Sequence, residues 1–482
     1  MKTSMRNRAQ RKPTGVSGAL PRFDKPVIII GFGSIGRGVL PLILRHINTP
    51  WERIVVISPD DRSRTLVDFE GIRFEKLALT SANHRQVLLP LLSGGGFLVN
   101  VSVNVSSVDL IRLCQEVGAL YLDTCIEPWA GVYTDLGLTM SQRSNWALRK
   151  QALALRGAGS TAVIAHGANP GMVSHLVKQA LVQLAVAEGL TANPESRRDW
   201  AQLARKLGIK GVHISERDTQ RCNLPKQPDE FVNTWSIEGL MAEGLQPAEL
   251  GWGTHEKELP PDGAHHDGGQ ACAIYLKRPG ASTRVRSWTP LAGPIQGYLI
   301  THNESISIAD FLTLREGGRV TYRPTCHYAY HPCDDAILSL HELQGRALRP
   351  QSRYRLMVDE IVDGHDEIGV LLYGHRQNAL WLGSQLSIQE ARRMAPYQNA
   401  TGMQVTAAVL AGMIWAIENP ARGVVEVEDM DHERILTIIR PYLGKVAAVY
   451  TDWTPLSGRD AGLFPEDVDR DDPWQFRNVV VR

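Results

Sequence analysis

Carboxylates, tryptophan and histidine crowd four short segments in the middle of this chain, a mixture suited to an organic cation. The segments are Ile214-Ser215-Glu216-Arg217-Asp218-Thr219-Gln220, Val232-Asn233-Thr234-Trp235-Ser236-Ile237-Glu238, Leu250-Gly251-Trp252-Gly253-Thr254-His255-Glu256 and Thr301-His302-Asn303-Glu304-Ser305-Ile306-Ser307. A carboxylate pairs with an ammonium, and an indole face attracts the same charge through its quadrupole. Taken singly, each of these acids reads as a solvated surface residue, the usual place for one. A fold that gathers them separates the two readings.

A second cluster, Cys326-His327-Tyr328-Ala329-Tyr330-His331-Pro332-Cys333, has histidines four apart, a spacing that shares one face of a helix and could hold zinc. Pro332 and the interleaved aromatics work against that helix, and no second pair of ligands stands at a familiar spacing. The expectation is a loop or strand that packs its Tyr and His residues against the core, with no metal.

Upstream, Val27-Ile28-Ile29-Ile30 runs directly into Gly31-Phe32-Gly33-Ser34-Ile35-Gly36, and an apolar helical pattern follows through Leu40, Leu42, Ile43 and Leu44. Strand, glycine turn and helix N-terminus in that order form a dinucleotide cradle. Gly31 permits the turn, Gly33 lets backbone approach the pyrophosphate beside Ser34 and Ile35, and Gly36 lets helix and strand pack closely. Further strands are expected at 53–57, 97–103, 119–124 and 161–165, with a helix through 110–117. Another helix spans 172–190, with Asn169 as its N-cap and Pro170 at its first position. At the end of the second strand, Asp60 reads as a ribose ligand for NAD, whereas Ser58 with Arg62 or Arg64 reads as a phosphate site for NADP.

The fold class is α/β: an N-terminal Rossmann domain with a doubly wound parallel sheet, plus a mixed α+β catalytic domain. The organisation read from the chain is a disordered basic tail at 1–24, a nucleotide-binding domain at 25–165 and a catalytic domain at 166–400. A C-terminal helical segment at 401–455 packs back on the first domain, and 456–482 is a loose tail. The stretch 257–270 is expected to be an exposed loop. With 52 basic and 51 acidic residues the formal charge is +1, which gives no electrostatic case for nucleic acid. No uninterrupted apolar run suggests a membrane span, the six cysteines are scattered, and the expected location is the cytoplasm.

Longer motifs then carry a resemblance. GFGSIGRG, HGANPGM, ERDTQR, VNTWS, EGLQPAELGWGTHE, RVRSW, THNESISIAD, RPTCHYAYHPCDDA, VLLYGH, QNATG and TDWTPL resemble the bacterial homospermidine synthases, of the saccharopine-dehydrogenase-like group. The resemblance runs from about residue 25 to 456. It implies a homodimeric transferase with NAD in the Rossmann domain, which tips the cofactor reading to NAD, and polyamine in a pocket at the domain boundary. It assigns Trp235 to a cationic intermediate, Glu216, His302 and Glu304 to amine binding and proton transfer, and Asn169 to the neighbourhood of nicotinamide and substrate. Glu127 and Glu243 match acids around the pocket or its entrance. Ser102, Asn104 and Thr124 join Gly31, Gly33, Ser34, Ile35, Gly36, Ser58, Asp60 and Asn169 in the cofactor set. Two positions depart from the family: Asn104 and Ser58 each stand where an acid is usual.

The implied reaction joins two putrescines, or spermidine and putrescine, through transient oxidation to an imine, amine exchange and re-reduction. One rival is a net NAD(P)H-dependent reductase of the saccharopine or carboxynorspermidine dehydrogenase type, with Arg284 and Arg286 clamping a substrate carboxylate. The other is a non-catalytic NAD-binding module.

Overall fold

The computed structural model describes residues 20–61, 71–268, 271–459 and 466–481. Arg62, Arg64 and most of the basic N-terminal run lie outside the described residues. The chain divides into two compact units, one of Met1–Val132, Leu148–Met172 and Ala391–Leu443, the other of Tyr133–Ala147, Val173–Glu390 and Gly444–Arg482.

In the first unit seven described strands form one parallel sheet. Their spatial order is Val424–Glu426, Ala162–Ile164, Leu120–Asp123, Phe97–Asn100, Val27–Ile30, Ile54–Ser58, Arg73–Lys76. Val27–Ile30 is buried along its whole length, as a strand covered on both faces must be, which explains four β-branched residues in a row. The strand order reverses beside it, between its neighbours Ile54–Ser58 and Phe97–Asn100, and ligands of open α/β sheets bind at such a switch point. Helix Ser34–His46 follows the glycine turn and buries Val39, Leu40, Leu42 and Ile43. Helix Ala400–Glu418 packs beside it. A Cβ on Gly38 would lie 1.6 Å from the Gln398 amide and 2.7 Å from Thr406, so glycine sets how closely these two helices approach. Ala400–Glu418 is long and apolar enough to cross a membrane, but 89% of that apolar window is buried, the placement of a core helix.

Several boundaries differ from the sequence reading. Arg53 closes the 3-10 turn Trp51–Arg53 and does not open the second strand. The strand expected through Val103 ends at Asn100, because the Asn100 side chain accepts hydrogen bonds from the backbone N–H and hydroxyl of Ser102 and turns the chain. Asn169 and Pro170 are not the N-cap and first residue of the next helix, which spans Met172–Ala187. They belong to a turn closed by the Gly167 N–H on the Pro170 carbonyl, 2.6 Å, and by the Met172 N–H on the Gly167 carbonyl, 2.8 Å.

The second unit is built on an 11-stranded mixed sheet among the described residues. Its centre is the parallel pair Gly211–Asp218 and Thr325–His331, flanked by antiparallel His365–His375 on one side and Pro247–Gly251 on the other. The segment drawn as 401–455 is divided here: Lys445–Thr451 pairs with Asn378–Ser387 of this sheet, while Val424–Glu426 extends the parallel sheet of the first unit. Residues 133–147, placed in the nucleotide-binding domain by sequence, also belong to the second unit. The supposed loop 257–270 contains an edge strand, Gly263–His265, paired with Ala273–Pro279. Nor is the C-terminus loose through 481: Val480–Val481 pairs with the edge of Arg284–Thr289, and Trp474, Phe476 and Val479 are buried. Their apolar area explains the docking.

Candidate functional site

The parallel pair at the centre of the second unit puts four polar side chains in order. Glu216 and Asp218 are two apart on Gly211–Asp218, and Tyr328 and Tyr330 are two apart on Thr325–His331, with Tyr330 in register with Glu216. Alternation along a strand sends each such pair to one face. The Tyr328 hydroxyl donates to Glu216, its ring stacks on Tyr330 with centroids 5.3 Å apart, and it lies 4.4 Å from the ring of His302.

His302 stands just before helix Asn303–Phe311 but does not cap it through its side chain. Its Nε2 lies 2.9 Å from Glu243, on helix Ile237–Leu245, and its Nδ1 lies 3.3 Å from Glu304. Burial works against a charged imidazole here, but two carboxylates within contact outweigh it and hold the His302 pKa well above its ordinary value. The other Glu304 oxygen, Oε2, is buried with no hydrogen-bond partner among the described residues.

Trp235 lies between strand Glu230–Asn233 and helix Ile237–Leu245. Its indole N–H donates to the Tyr330 hydroxyl at 2.9 Å. The preceding residue, Thr234, donates to Asp218 at 2.6 Å. Burial pushes the Asp218 carboxyl up to about 6, against the hydrogen bonds from Thr234 and Gln220. The Tyr330 phenol is raised well above its ordinary range by burial and by Glu216 and Asp218, so it stays neutral.

Five residues singled out by sequence, Glu216, Trp235, Glu243, His302 and Glu304, thus form one connected cluster through Tyr328 and Tyr330. Tyr328 and Tyr330, expected only to pack against the core, join the cluster, and their spacing two apart is the sequence signal for it. The segment containing Trp252 and Glu256 does not join them. Trp252 packs edge-on against Phe476, and the Glu256 carboxylate accepts the Phe476 N–H at 2.9 Å. The run from Cys326 to Cys333 is strand for most of its length. His327 lies 4.1 Å from His213, ring to ring, and burial lowers both pKa values. Among the described residues no three metal-ligating side chains come together.

In the first unit the glycine turn fits a dinucleotide. Gly31 has φ +90° and donates to the Ile57 carbonyl at 2.9 Å. A Cβ on Gly36 would lie 2.1 Å from the Gly31 carbonyl oxygen, whereas one on Gly33 would meet nothing within 4 Å. The turn is therefore closed behind the helix and open where Gly33 and the N–H groups of Ser34 and Ile35 begin it, with no side-chain cap. That is where an anion sits at a helix N-terminus. Ser58 is buried at the end of its strand, and its hydroxyl accepts the Asp60 N–H at 3.3 Å. Asn104, in a left-handed conformation with φ +62°, turns its backbone N–H to Glu127 at 3.1 Å. Thr124 follows strand Leu120–Asp123 and flanks the turn that holds Asn169, 3.6 Å from a Cβ built on Gly167.

Asp123, which the sequence reading passed over, sets that turn. Its carboxylate accepts the N–H of Ala165 at 2.6 Å and the Tyr121 hydroxyl at 2.9 Å. Ala165 has φ +57°, a conformation costly for alanine unless its surroundings impose it. Burial raises the Asp123 carboxyl to about 7. A lone acid closing a buried strand was the only sequence signal.

A switch-point sheet with a glycine turn, and a mixed sheet carrying an acid-rich cluster, define a two-part dinucleotide-binding enzyme of the saccharopine dehydrogenase class. Residues 27–165 match the saccharopine dehydrogenase NADP binding domain, and residues 167–451 match the saccharopine dehydrogenase C-terminal domain. The chain is 59% identical over 470 residues to homospermidine synthase of Blastochloris viridis, covering 96% of this chain and 98% of that one. It is 57% identical over 468 residues to homospermidine synthase of Mesorhizobium japonicum, covering 95% and 96%. The crystal structure of homospermidine synthase from Legionella pneumophila in complex with NAD superposes with a TM-score of 0.90 at 47% identity, covering 96% of this chain and 99% of that one. The chain belongs to the homospermidine synthase family.

Proposed function

We propose that this chain is an NAD-dependent homospermidine synthase joining two putrescines, or spermidine and putrescine, by aminobutyl transfer. The observation that carries this reading is Glu304 Oε2, a buried carboxylate oxygen without a partner among the described residues, in a cluster that also holds Glu216 and Glu243. A buried carboxylate oxygen without a donor is costly, and an ammonium group supplies the donor that Oε2 lacks.

In the reaction, the amine-bearing carbon of one putrescine is oxidised to an iminium. The amine of the second putrescine adds to that carbon, ammonia leaves, and the new imine is reduced. NAD, when bound, supplies the two-electron acceptor for the first step and the donor for the last. The Gly31–Gly33–Gly36 turn with Ser34 and Ile35 holds the pyrophosphate, Ser58 and Asp60 the ribose, and Ser102, Asn104, Thr124 and Asn169 the nicotinamide end. Glu216 and Glu304 bind ammonium ends, and Glu127 adds negative charge near Asn104. His302, protonated between Glu243 and Glu304, donates to both, so it can serve as an acid but not as a base at neutral pH. Trp235 stabilises the cationic iminium more than the neutral amine, which is differential binding of the high-energy state.

The reductase rival loses support from its own arginines. Arg286 pairs with Glu466 at 3.4 Å, and Arg284 is exposed on its strand. Incubation with putrescine and a trace of NAD should give many homospermidine molecules per cofactor, read by mass spectrometry, with no lasting NADH absorbance. One-for-one consumption of NADH or NADPH would establish the reductase, and NAD binding without product would establish the non-catalytic module. A cytoplasmic homodimer, with no membrane or nucleic-acid partner, completes the proposal. Light scattering on the purified protein tests the dimer.

A further inference from the structure

We infer that Tyr330 is the positioning residue that fixes the plane of the Trp235 indole; this rests on the role proposed above for Trp235. Attraction between a cation and an aromatic ring requires the charge to lie over the ring face, so a tilted indole loses it. Trp235 stands outside any regular element, immediately before Ser236, the residue that caps helix Ile237–Leu245 by accepting the Gly239 N–H at 3.0 Å. Its backbone is held next door by Thr234 on Asp218. The indole N–H itself donates to the Tyr330 hydroxyl at 2.9 Å, with ring centroids 6.4 Å apart and planes at 53°.

Tyr330 is a firm anchor. It is fully buried in strand Thr325–His331, and its ring stacks at 12° on Tyr328, which is tied to Glu216. The hydroxyl stays neutral, and its oxygen accepts the indole N–H. The other edge of the indole borders Gly239, where a Cβ would lie 3.1 Å from Ser236 Oγ and 3.2 Å from Cζ3 of Trp235. Tyr330 thus sets the indole from one side while a missing side chain leaves room on the other.

The test is a double-mutant cycle of Tyr330→Phe and Trp235→Phe. Losing one buried hydrogen bond should lower kcat about tenfold, with KM for putrescine and affinity for NAD changed less than twofold. In the Trp235→Phe background, where no N–H remains, Tyr330→Phe should have no further effect. A readout independent of turnover is the Trp235 Nε1–H resonance in 15N-tryptophan spectra, which should shift in Tyr330→Phe while far-UV circular dichroism and Tm hold. An unchanged resonance, an unchanged kcat, or an equal loss in both backgrounds would overturn the positioning role and leave the synthase reading standing. If the wild-type protein forms no homospermidine, the functional reading falls instead, and the resonance still reports the hydrogen bond.

Discussion

Replacing Glu243 by Gln should turn His302 from a fixed cation into a group that titrates. The substitution keeps size and an acceptor oxygen but removes one of two negative charges in contact with the ring, Glu243 at 2.9 Å and Glu304 at 3.3 Å. At an effective dielectric constant of roughly 20, a unit charge pair at these distances interacts by about 5 kcal/mol. Losing that attraction favours the neutral imidazole and lowers the His302 pKa. Burial, which already opposes the charged form, would then dominate, as it does at His213 and His327. The assay is a pH titration of 13C-histidine-labelled protein, with His302→Gln identifying the resonance among the 15 histidines. In the wild type the His302 signal should stay that of an imidazolium well past neutrality, and in Glu243→Gln it should lose its proton at distinctly lower pH. A folded-state pKa raised above the unfolded value of 6.5 gives a stability contribution fully present below pH 6.5. That contribution disappears as pH rises through the folded pKa, so Glu243→Gln should remove it from the alkaline side of a Tm-against-pH curve. A wild-type His302 that titrates at 6.5, or a variant that titrates unchanged, would refute the electrostatic argument.

Trp235→Ala should lower turnover roughly thirtyfold or more, the equivalent of losing about 2 kcal/mol of desolvated cation–π attraction. Trp235→Phe should keep part of the activity; wild-type turnover in the alanine variant would remove the role. Burial raises Glu256 to about 7, so folding takes up a proton there and stability falls as pH rises from 4.5 to about 7. Glu256→Gln should flatten that part of the Tm profile, and an unchanged slope would show that the group does not ionise as described. Asp60→Ala should weaken NAD binding several-fold in a calorimetric titration. Tighter binding of NADP than of NAD by the wild type would reverse the cofactor assignment.

The glycine turn was legible because its requirements are local. Gly31 must adopt a positive φ and Gly36 must clear a carbonyl five residues back, and the run Val27–Ile30 needs no distant partner to read as a buried strand. Trp235, Glu216, His302 and Glu304 were found by residue type and by likeness to a family. Their assembly was not visible, because the bond between Tyr328 and Glu216 joins residues 112 apart in sequence, through the register of two parallel strands. Strand periodicity states which residues share a face but not which strand lies alongside. For that reason Tyr328 and Tyr330 looked like packing, while Trp252 and Glu256 looked like part of the site and instead hold the C-terminal segment. The same limit concealed Asp123, whose importance comes from the left-handed Ala165 it supports 42 residues away. Residue types and short-range sterics are written along the chain. Burial, register and the charge around His302 exist only once distant segments pack and exclude water.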